Sequence, residues 1–530
     1  MSDPINTTKF DDSFNSQGDM VERICADLYV IAQDSKYGFA RFAVPWGRKG
    51  TDIYNKKKIE FSAAMRDFAR DCGIKIHNGN FYYFGGKVYE YVNREAIEMA
   101  YDMLVERLGI ADQMMNKTAR TELFINTIKL FNPLRVRNDV IAFSNGVVDL
   151  SDISENKMVC HRFDKKWNVV DYHPYPFNPK ANAPLFMRFL HTVLPDKKQR
   201  DVLQMFLGLG LIQSKEAFSE LRDNPRSTVE LCLVLLGSGA NGKSVLFNVI
   251  CALFGKSHIT NVDYDDITSD GEEGLRGRAV IRSAVFNWSS DSDAKKFGRK
   301  NTAMFKKIVS GEPFPYRLLK NNITLSKSCP YLIFSLNELP NLSEGTRGFM
   351  RRLQFVNFDV TIPRYKQDPN LAYKIIERDL PGVFNWVVRG AREIRRRHFL
   401  FPSSDLSLKT KVRALLPSNP VYAWMIVYGI RPEANAPSEL CTFISSDVMY
   451  LCFSKFMENN NETVLTRTSF GQSLSRSGFT RLKRSDGIYY TCYGVNEEQL
   501  RQPMILDMLH EVDDKIPHFE SDGKSFIKDD

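Results

Sequence analysis

Residues 237–244 read GSGANGKS, and they concentrate more chemistry than any other stretch of this sequence. They satisfy the spacing GxxxxGK[ST], with Gly237, Gly242, Lys243 and Ser244 at the fixed positions. Glycines let consecutive backbone N–H groups curl around an anion that a Cβ would obstruct. A lysine at this point brings its charge to the β and γ phosphates of a nucleoside triphosphate, and the hydroxyl after it can ligate Mg²⁺. Gly237, Ser238, Gly239, Ala240, Asn241, Gly242, Lys243, Ser244 and Val245 therefore form a candidate phosphate-binding loop, with Ser244 as a candidate metal ligand.

Two elements must position such a loop. The apolar run 229–236 has the length and branching of a buried parallel strand. VLFNVICALF, which follows Ser244, has helical spacing, so a helix N-terminus faces the anion. A loop of this kind indicates a nucleoside triphosphate without saying what the energy drives. A GTPase needs an NKxD-type base-reading motif, and the sequence has none.

The surroundings of the loop resemble the superfamily 3 helicases, in the branch of poxvirus and phage or plasmid primase-helicases. Asn241 before the second fixed glycine is one such feature. Others follow in order: IAFSNGVVDL (141–150), the apolar helical stretch around PLFMRFLHTVL, YLIFSLNELP (331–340), GFMRRLQFVNF (348–358) and PGVFNWVVRG (381–390). The resemblance spans about residues 140–400. It implies an AAA+ P-loop ATPase core, with ATP and Mg²⁺ bound between subunits of a ring, a hexamer by analogy. It assigns a sensor role to Asn337, whose amide would orient the attacking water. It assigns a trans-acting finger to Arg351 or Arg352. The family's acidic residue after a hydrophobic strand finds its counterpart in AVFNWSSD, ending at Asp291, with Asp293 as the substitute; this acid would share the metal with Ser244.

The same resemblance places a DNA-tracking hairpin between Asp291 and Asn337. Lys306, Lys307, Arg317, Lys320 and Lys327 lie there, with Phe314 and Tyr316 interleaved. Cations bind phosphates and aromatic rings can stack unpaired bases. Towards the C-terminus, TSFGQSLSRSGF reads as a recognition-type helix stopped by Gly478, and RLKRSDGIYYTCY as a wing hairpin turning at Asp486-Gly487. Arg476, Arg481, Lys483 and Arg484 would face phosphates.

Composition sets the outer limits. A hydrophobic fraction of 43% with 25% charged residues excludes a chain disordered throughout. Nine cysteines include no CxxC pair, so neither a disulfide framework nor a cysteine zinc site is expected. No apolar run approaches the ~18 residues of a membrane span, and the polar, acidic N-terminus has no signal pattern. An intracellular, cytoplasmic protein is expected, in a bacterial host if phage or plasmid encoded. The net charge is +9, compatible with a polyanionic partner; the last twenty residues carry seven acids and three lysines.

The expected fold class is α/β. Residues 1–115 form an α+β domain able to touch DNA or a partner, and 116–215 a helical collar. The AAA+ core with its parallel sheet fills 216–400. A winged-helix-like domain follows at 401–500, then an acidic tail at 501–530. The expected activity is ATP-dependent DNA unwinding in replication, with 3′ to 5′ movement implied by the family. Expected partners are single-stranded and forked DNA, further copies of the chain, and a primase or polymerase. An origin-melting initiator and a non-catalytic scaffold are the alternatives.

Overall fold

The computed structural model describes residues 17–110, 116–137, 139–151, 153, 158–212, 229–292, 297–298, 302–318, 322–326, 329–340, 342, 347–432 and 441–501. Its contacts divide the chain into two compact units, residues 1–152 with 157–177, and residues 153–156 with 178–530.

The first unit opens with helices α1 (Gln17–Ala32) and α2 (Asp52–Asp71), then a three-stranded antiparallel meander, β1 (Lys75–His77), β2 (Asn80–Phe84) and β3 (Tyr89–Val92). The turn between β2 and β3 has four residues, 85–88, closed by Gly85 N–H donating to Val88 O at 2.8 Å. Gly85-Gly86 form the first half of this turn. Helices α3 (Arg94–Arg107) and α4 (Lys117–Phe131) complete an aromatic core in which Tyr101 and Phe124 stack at 4.4 Å. Phe124, Ile125 and Ile128 of α4 are buried with Phe61 and Phe68 of α2. The expected boundary at 115/116 therefore does not divide the contacts, because α4 belongs to the N-terminal core rather than to a collar. Strands β4 (Val140–Phe143), β5 (Gly146–Asp149), β6 (Cys160–His161) and β7 (Tyr172–His173) form a second small sheet, with Ser144-Asn145 turning between β4 and β5.

The second unit begins with α5 (Pro184–Val193) and α6 (Lys197–Leu209), followed by β8 (Cys232–Leu236) and α7 (Lys243–Phe254). Next come β9 (Ile259–Thr260), α8 (Tyr264–Thr268), α9 (Gly271–Ile281), β10 (Phe286–Ser292) and α10 (Thr302–Val309). A hairpin of β11 (Pro315–Tyr316) and β12 (Thr324–Leu325) leads to β13 (Tyr331–Leu336), α11 (Arg347–Met350) and β14 (Leu353–Asn357). The five longer-range strands form one wholly parallel sheet in the order β14-β8-β13-β10-β9. Its middle strand, YLIFSL, is buried at every residue, as a strand covered on both faces must be. After β8 the chain crosses towards β9; after β13 it crosses the other way, to β14. The carboxyl ends of β8 and β13 are therefore a topological switch point, where open α/β sheets form crevices.

Helix α12 (Leu371–Arg396) packs on α6 and α7, and so closely on α6 that a Cβ on Gly208 would lie 2.3 Å from Ala391 N. Pro381, the first residue of the segment 381–390, is interior to this helix, ten residues past its start. Helices α13 (Asp405–Leu415), with Ser404 as its N-cap, and α14 (Pro420–Tyr428) follow. Strands β15 (Arg431–Pro432) and β16 (Thr442–Ser445), helices α15 (Ser446–Asn459) and α16 (Arg467–Arg476), strands β17 (Thr480–Arg484) and β18 (Gly487–Tyr493), and helix α17 (Glu497–Arg501) end the described chain. Trp424 of α14, Phe453 of α15 and Phe470 of α16 share one apolar core with Val234 and Phe334 of the sheet, so no contact boundary falls at 400/401. The acidic tail lies outside the described residues except for Arg501.

Candidate functional site

The loop between β8 and α7 adopts the backbone that anion binding needs. Gly239, Ala240 and Gly242 have φ of 109°, 49° and 87°, so the chain turns repeatedly through the left-handed region before the helix starts. A Cβ at Gly237 would lie 2.3 Å from Asn241 Nδ2 and 2.5 Å from Phe358 O, so only glycine permits this approach. Asn241 is buried and donates to Phe358 O at 3.3 Å, tying the loop to the end of β14. Gly237 N–H donates to Leu336 O at 3.0 Å, tying it to β13. Ser238 and Ser244 are exposed, and Val245 is half-buried in the first turn of α7.

Lys243 does not face solvent. It is 8% exposed. Its Nζ donates to Gly237 O, to Leu336 O at 3.4 Å and to Asn337 Oδ1 at 3.4 Å. Buried ammonium groups need such acceptors, and here the strand ends provide them. Asn337 follows β13 and is exposed at the switch point. The sheet order sets β13 between β8 and β10, so Asn337 stands between the loop and the strand carrying Asp291.

Strand β10 carries a one-residue bulge between Ser289, opposite Phe334, and Ser292, opposite Leu336. Asp291 lies in this irregularity. Bulges re-aim the side chains they contain. The Asp291 side chain and all of Asp293 lie outside the described residues. Behind them, Ser292 Oγ donates to Ser289 Oγ at 2.6 Å, and Ser289 Oγ donates to Asp263 Oδ1. Asp263, just after β9, was not singled out from sequence; the acids of DYDD after a short strand were the available signal.

Arg351 and Arg352 converge on Glu230, at 3.0 Å and 2.6 Å. Glu230 precedes β8, and the arginines precede β14, which runs parallel to it. Both therefore stand at the amino end of the sheet. The loop is at the carboxyl end, roughly 20 Å away at about 3.3 Å per strand residue. The two arginines differ sharply. Arg352 is 8% exposed and also donates to Gly348 O at 2.7 Å and Ser310 Oγ at 2.8 Å. Burial lowers its pKa, with Glu230 opposing the shift. The Arg351 side chain is 60% exposed. Of the two, only Arg351 forms a surface ion pair.

The hairpin expected between Asp291 and Asn337 is present as β11 and β12. Lys320 and Lys327 lie outside the described residues. Arg317 pairs with Glu272 of α9 at 2.5 Å. Phe314 is fully buried, so it is a core residue and not a base-stacking surface; its apolar ring packs with the α10 and α14 core. Tyr316 is half-buried under the Arg282 guanidinium, 5.4 Å from the ring centre. Lys306 and Lys307 are half-buried on α10. The buried Arg278 of α9, also missed in the sequence, donates to Pro315 O at 2.7 Å and to Ile267 O and Ser269 O at 3.0 Å each.

In the C-terminal part, α16 begins at Arg467, capped by Thr466, and Gly478 follows its end at φ 91°. β17 and β18 form the expected hairpin. Arg476, Arg481 and Lys483 are exposed. Arg484 is held between the Phe443 and Tyr489 rings, at 4.6 Å and 4.9 Å. Among the described residues no cluster of three His, Cys, Asp or Glu could hold a metal ion, and no helix is long and apolar enough to cross a membrane.

Residues 63–195 match the family described as D5 N terminal like. Among solved structures, the chain is similar to the apo A form of the NrS-1 C-terminal region, with 12% identity and a TM-score of 0.39 over 81% of this chain and 98% of that one. A second apo structure of that region (residues 305–718 in its own title) gives 11% identity, 82% and 98% coverage, and a TM-score of 0.37. Likeness at this level determines neither detailed fold nor chemistry.

Proposed function

We propose that this chain is an ATP-driven replication helicase of the primase-helicase type, with a superfamily 3 AAA+ core and a winged-helix-like C-terminal part. The observation that carries the reading is the meeting of Lys243 Nζ with Leu336 O and Asn337 Oδ1 at the switch point. This is the arrangement a triphosphate needs: a cradle of backbone N–H groups, a cation held at the strand ends, and an amide beside the terminal phosphate. The match of residues 63–195 to the D5 N-terminal-like family supports the replication context.

The loop N–H groups and the α7 N-terminus cradle the phosphates. Lys243 exchanges its carbonyl acceptors for β and γ phosphate oxygens. Asn337 orients the attacking water. Ser244 and Asp291 would hold Mg²⁺, which when bound neutralises charge on the phosphates. The arginines stand too far from their own loop to serve it. Arg351, exposed at the opposite end of the sheet, acts on the nucleotide of a neighbouring copy, whereas Arg352 fixes the local structure. Successive copies then meet head to tail, which suits a ring. The β11–β12 hairpin and the cations Arg476, Arg481 and Lys483 contact DNA.

A strand-displacement assay on forked DNA tests the reading. Displacement is expected with ATP and not with a non-hydrolysable analogue. Local melting without displacement would indicate an initiator; neither activity would indicate a scaffold.

A further inference from the structure

Residues 39–58 hold six cations and one acid, Asp52. The fold sorts them by chemistry. Phe39, Phe42 and Trp46 are no more than 2% exposed and fill the N-terminal core, and Tyr54 packs on Trp46 at 6.0 Å. Arg48, Lys49 and Lys56 are exposed, and none of them pairs with an acid among the described residues. The loop 47–50 turns through the left-handed region at Gly47 and Gly50, with φ of 84° and 90°. Arg48 and Lys49 therefore stand just before the N-terminus of α2, which carries partial positive charge of its own. Among these cations lies an apolar patch. Val44 and Ile53 are 51% and 67% exposed, and Pro45 is exposed beside Val44. Lys57 Nζ donates to Pro45 O at 3.0 Å, and a Cβ at Gly47 would lie 4.0 Å from Ile53 Cγ2. Residues 44–47 thus run alongside the start of α2, where Ile53, Lys56 and Lys57 share one face.

We propose that this surface docks an acidic peptide segment of a partner protein, one that carries an apolar side chain among its acids. Six cations against one acid are complementary to an anionic partner. The patch decides which kind. A phosphodiester backbone offers nothing to cover Val44 and Ile53, and the rings that could stack unpaired bases are turned into the core. A peptide meets both halves of the surface. Its carboxylates pair with Arg48, Lys49 and Lys56, while its apolar side chain covers Ile53 and Val44. An apolar centre inside a charged rim is the anatomy of a protein–protein interface. The surface takes no part in the triphosphate chemistry, so the inference stands apart from the ATPase reading.

Fluorescence anisotropy with the full chain and three labelled probes tests this: a peptide alternating aspartate with leucine, a polyaspartate of equal charge, and a thymidine oligonucleotide of equal charge. The mixed peptide should bind about fivefold or more tighter than polyaspartate, because its leucines cover the patch. Ile53→Ser should abolish that advantage and leave polyaspartate binding within about twofold. Arg48→Glu/Lys49→Glu should weaken both peptides by about tenfold or more. Equal binding of the two peptides, or binding of neither, overturns the proposal. So does a charge-reversed variant that loses the oligonucleotide and keeps the peptides, which would make the surface a nucleic-acid contact. A mixed peptide carrying a photoreactive leucine analogue gives a check without substitution. Light-dependent labelling is expected on the chain segments bearing Val44 or Ile53; labelling confined to other segments overturns the proposal.

Discussion

Lys243 Nζ lies 3.4 Å from Asn337 Oδ1, joining a residue at the start of α7 to one 94 positions later at the end of β13. The lysine is thus held at the strand ends rather than swinging in solvent. Its exchange of protein acceptors for phosphate oxygens becomes part of binding.

Lys243→Ala should reduce ATP hydrolysis by at least about 10²-fold, since no neighbouring cation shares this geometry. It should also lower stability by about 1–3 kcal/mol, because Gly237 O and Leu336 O lose a charged donor. Phosphate release and thermal unfolding of the purified variant measure the two effects. Wild-type turnover would refute the site.

Asn337→Ala should separate chemistry from binding. An amide that orients water acts on the transition state more than on bound ATP. Turnover should fall about 10²-fold, with the Kd for ATP changed less than about threefold. A matching loss of affinity would make Asn337 a binding residue instead.

The two arginines should give opposite phenotypes. Arg351→Ala should fold normally, bind ATP and hydrolyse it about 10³-fold or more slowly. Mixing it with Lys243→Ala subunits should restore part of the turnover. Arg352→Ala should lose about 2–3 kcal/mol of stability, because Gly348 O, Ser310 and Glu230 lose a buried partner. Unfolding curves and mixed-subunit assays distinguish them. If Arg352→Ala is stable and Arg351→Ala fully active, the assignment fails.

Lys320→Ala should lower the slope of log K against log salt for single-stranded DNA by about 0.7, the value of one phosphate contact. Basal ATPase should survive. Glu272→Gln releases Arg317 from its ion pair and should strengthen the same binding. Fluorescence anisotropy across a salt series reads both, and unchanged slopes would return these residues to an ordinary solvated surface.

The N-terminal core should weaken in alkali. Burial pushes the Tyr37 hydroxyl up to about 12 from an ordinary value of 10.0, helped by its 2.7 Å bond to Asp71. The stability this supplies is complete below pH 10 and is lost as pH rises towards 12, since the unfolded chain releases that proton first. Tyr37→Phe should make the fall in melting temperature over this range shallower. An unaltered pH dependence would remove Tyr37 from the explanation.

What the sequence revealed was local. The loop's spacing, the strand before it and the helix after it are contiguous, so their chemistry could be read directly. The hairpin β17–β18 was equally visible, because turn residues and strand residues alternate over a few positions, whereas β11–β12 was expected from the family resemblance. Pairings across the chain were not. Glu230 lies 121 residues from Arg351, and nothing local distinguishes the exposed arginine from its buried neighbour. Phe314 stands in a basic segment and read as a stacking ring, but tertiary packing buries it. The helix at 117–131 has apolar residues at helical spacing; which core they enter depends on partners in α2 and α3.

Arg278 ties β11 to both ends of the α8–α9 turn, and the ion pair of Arg317 with Glu272 adds a second strut. A displacement of the hairpin alone would strip the buried guanidinium of its Pro315 acceptor. Hairpin, α8 and α9 therefore travel as one lever. Its near end is the segment around Asp263, which the Ser289 hydroxyl anchors to β10. A shift of β10 would pass through that bond to Asp263 and so to the arm.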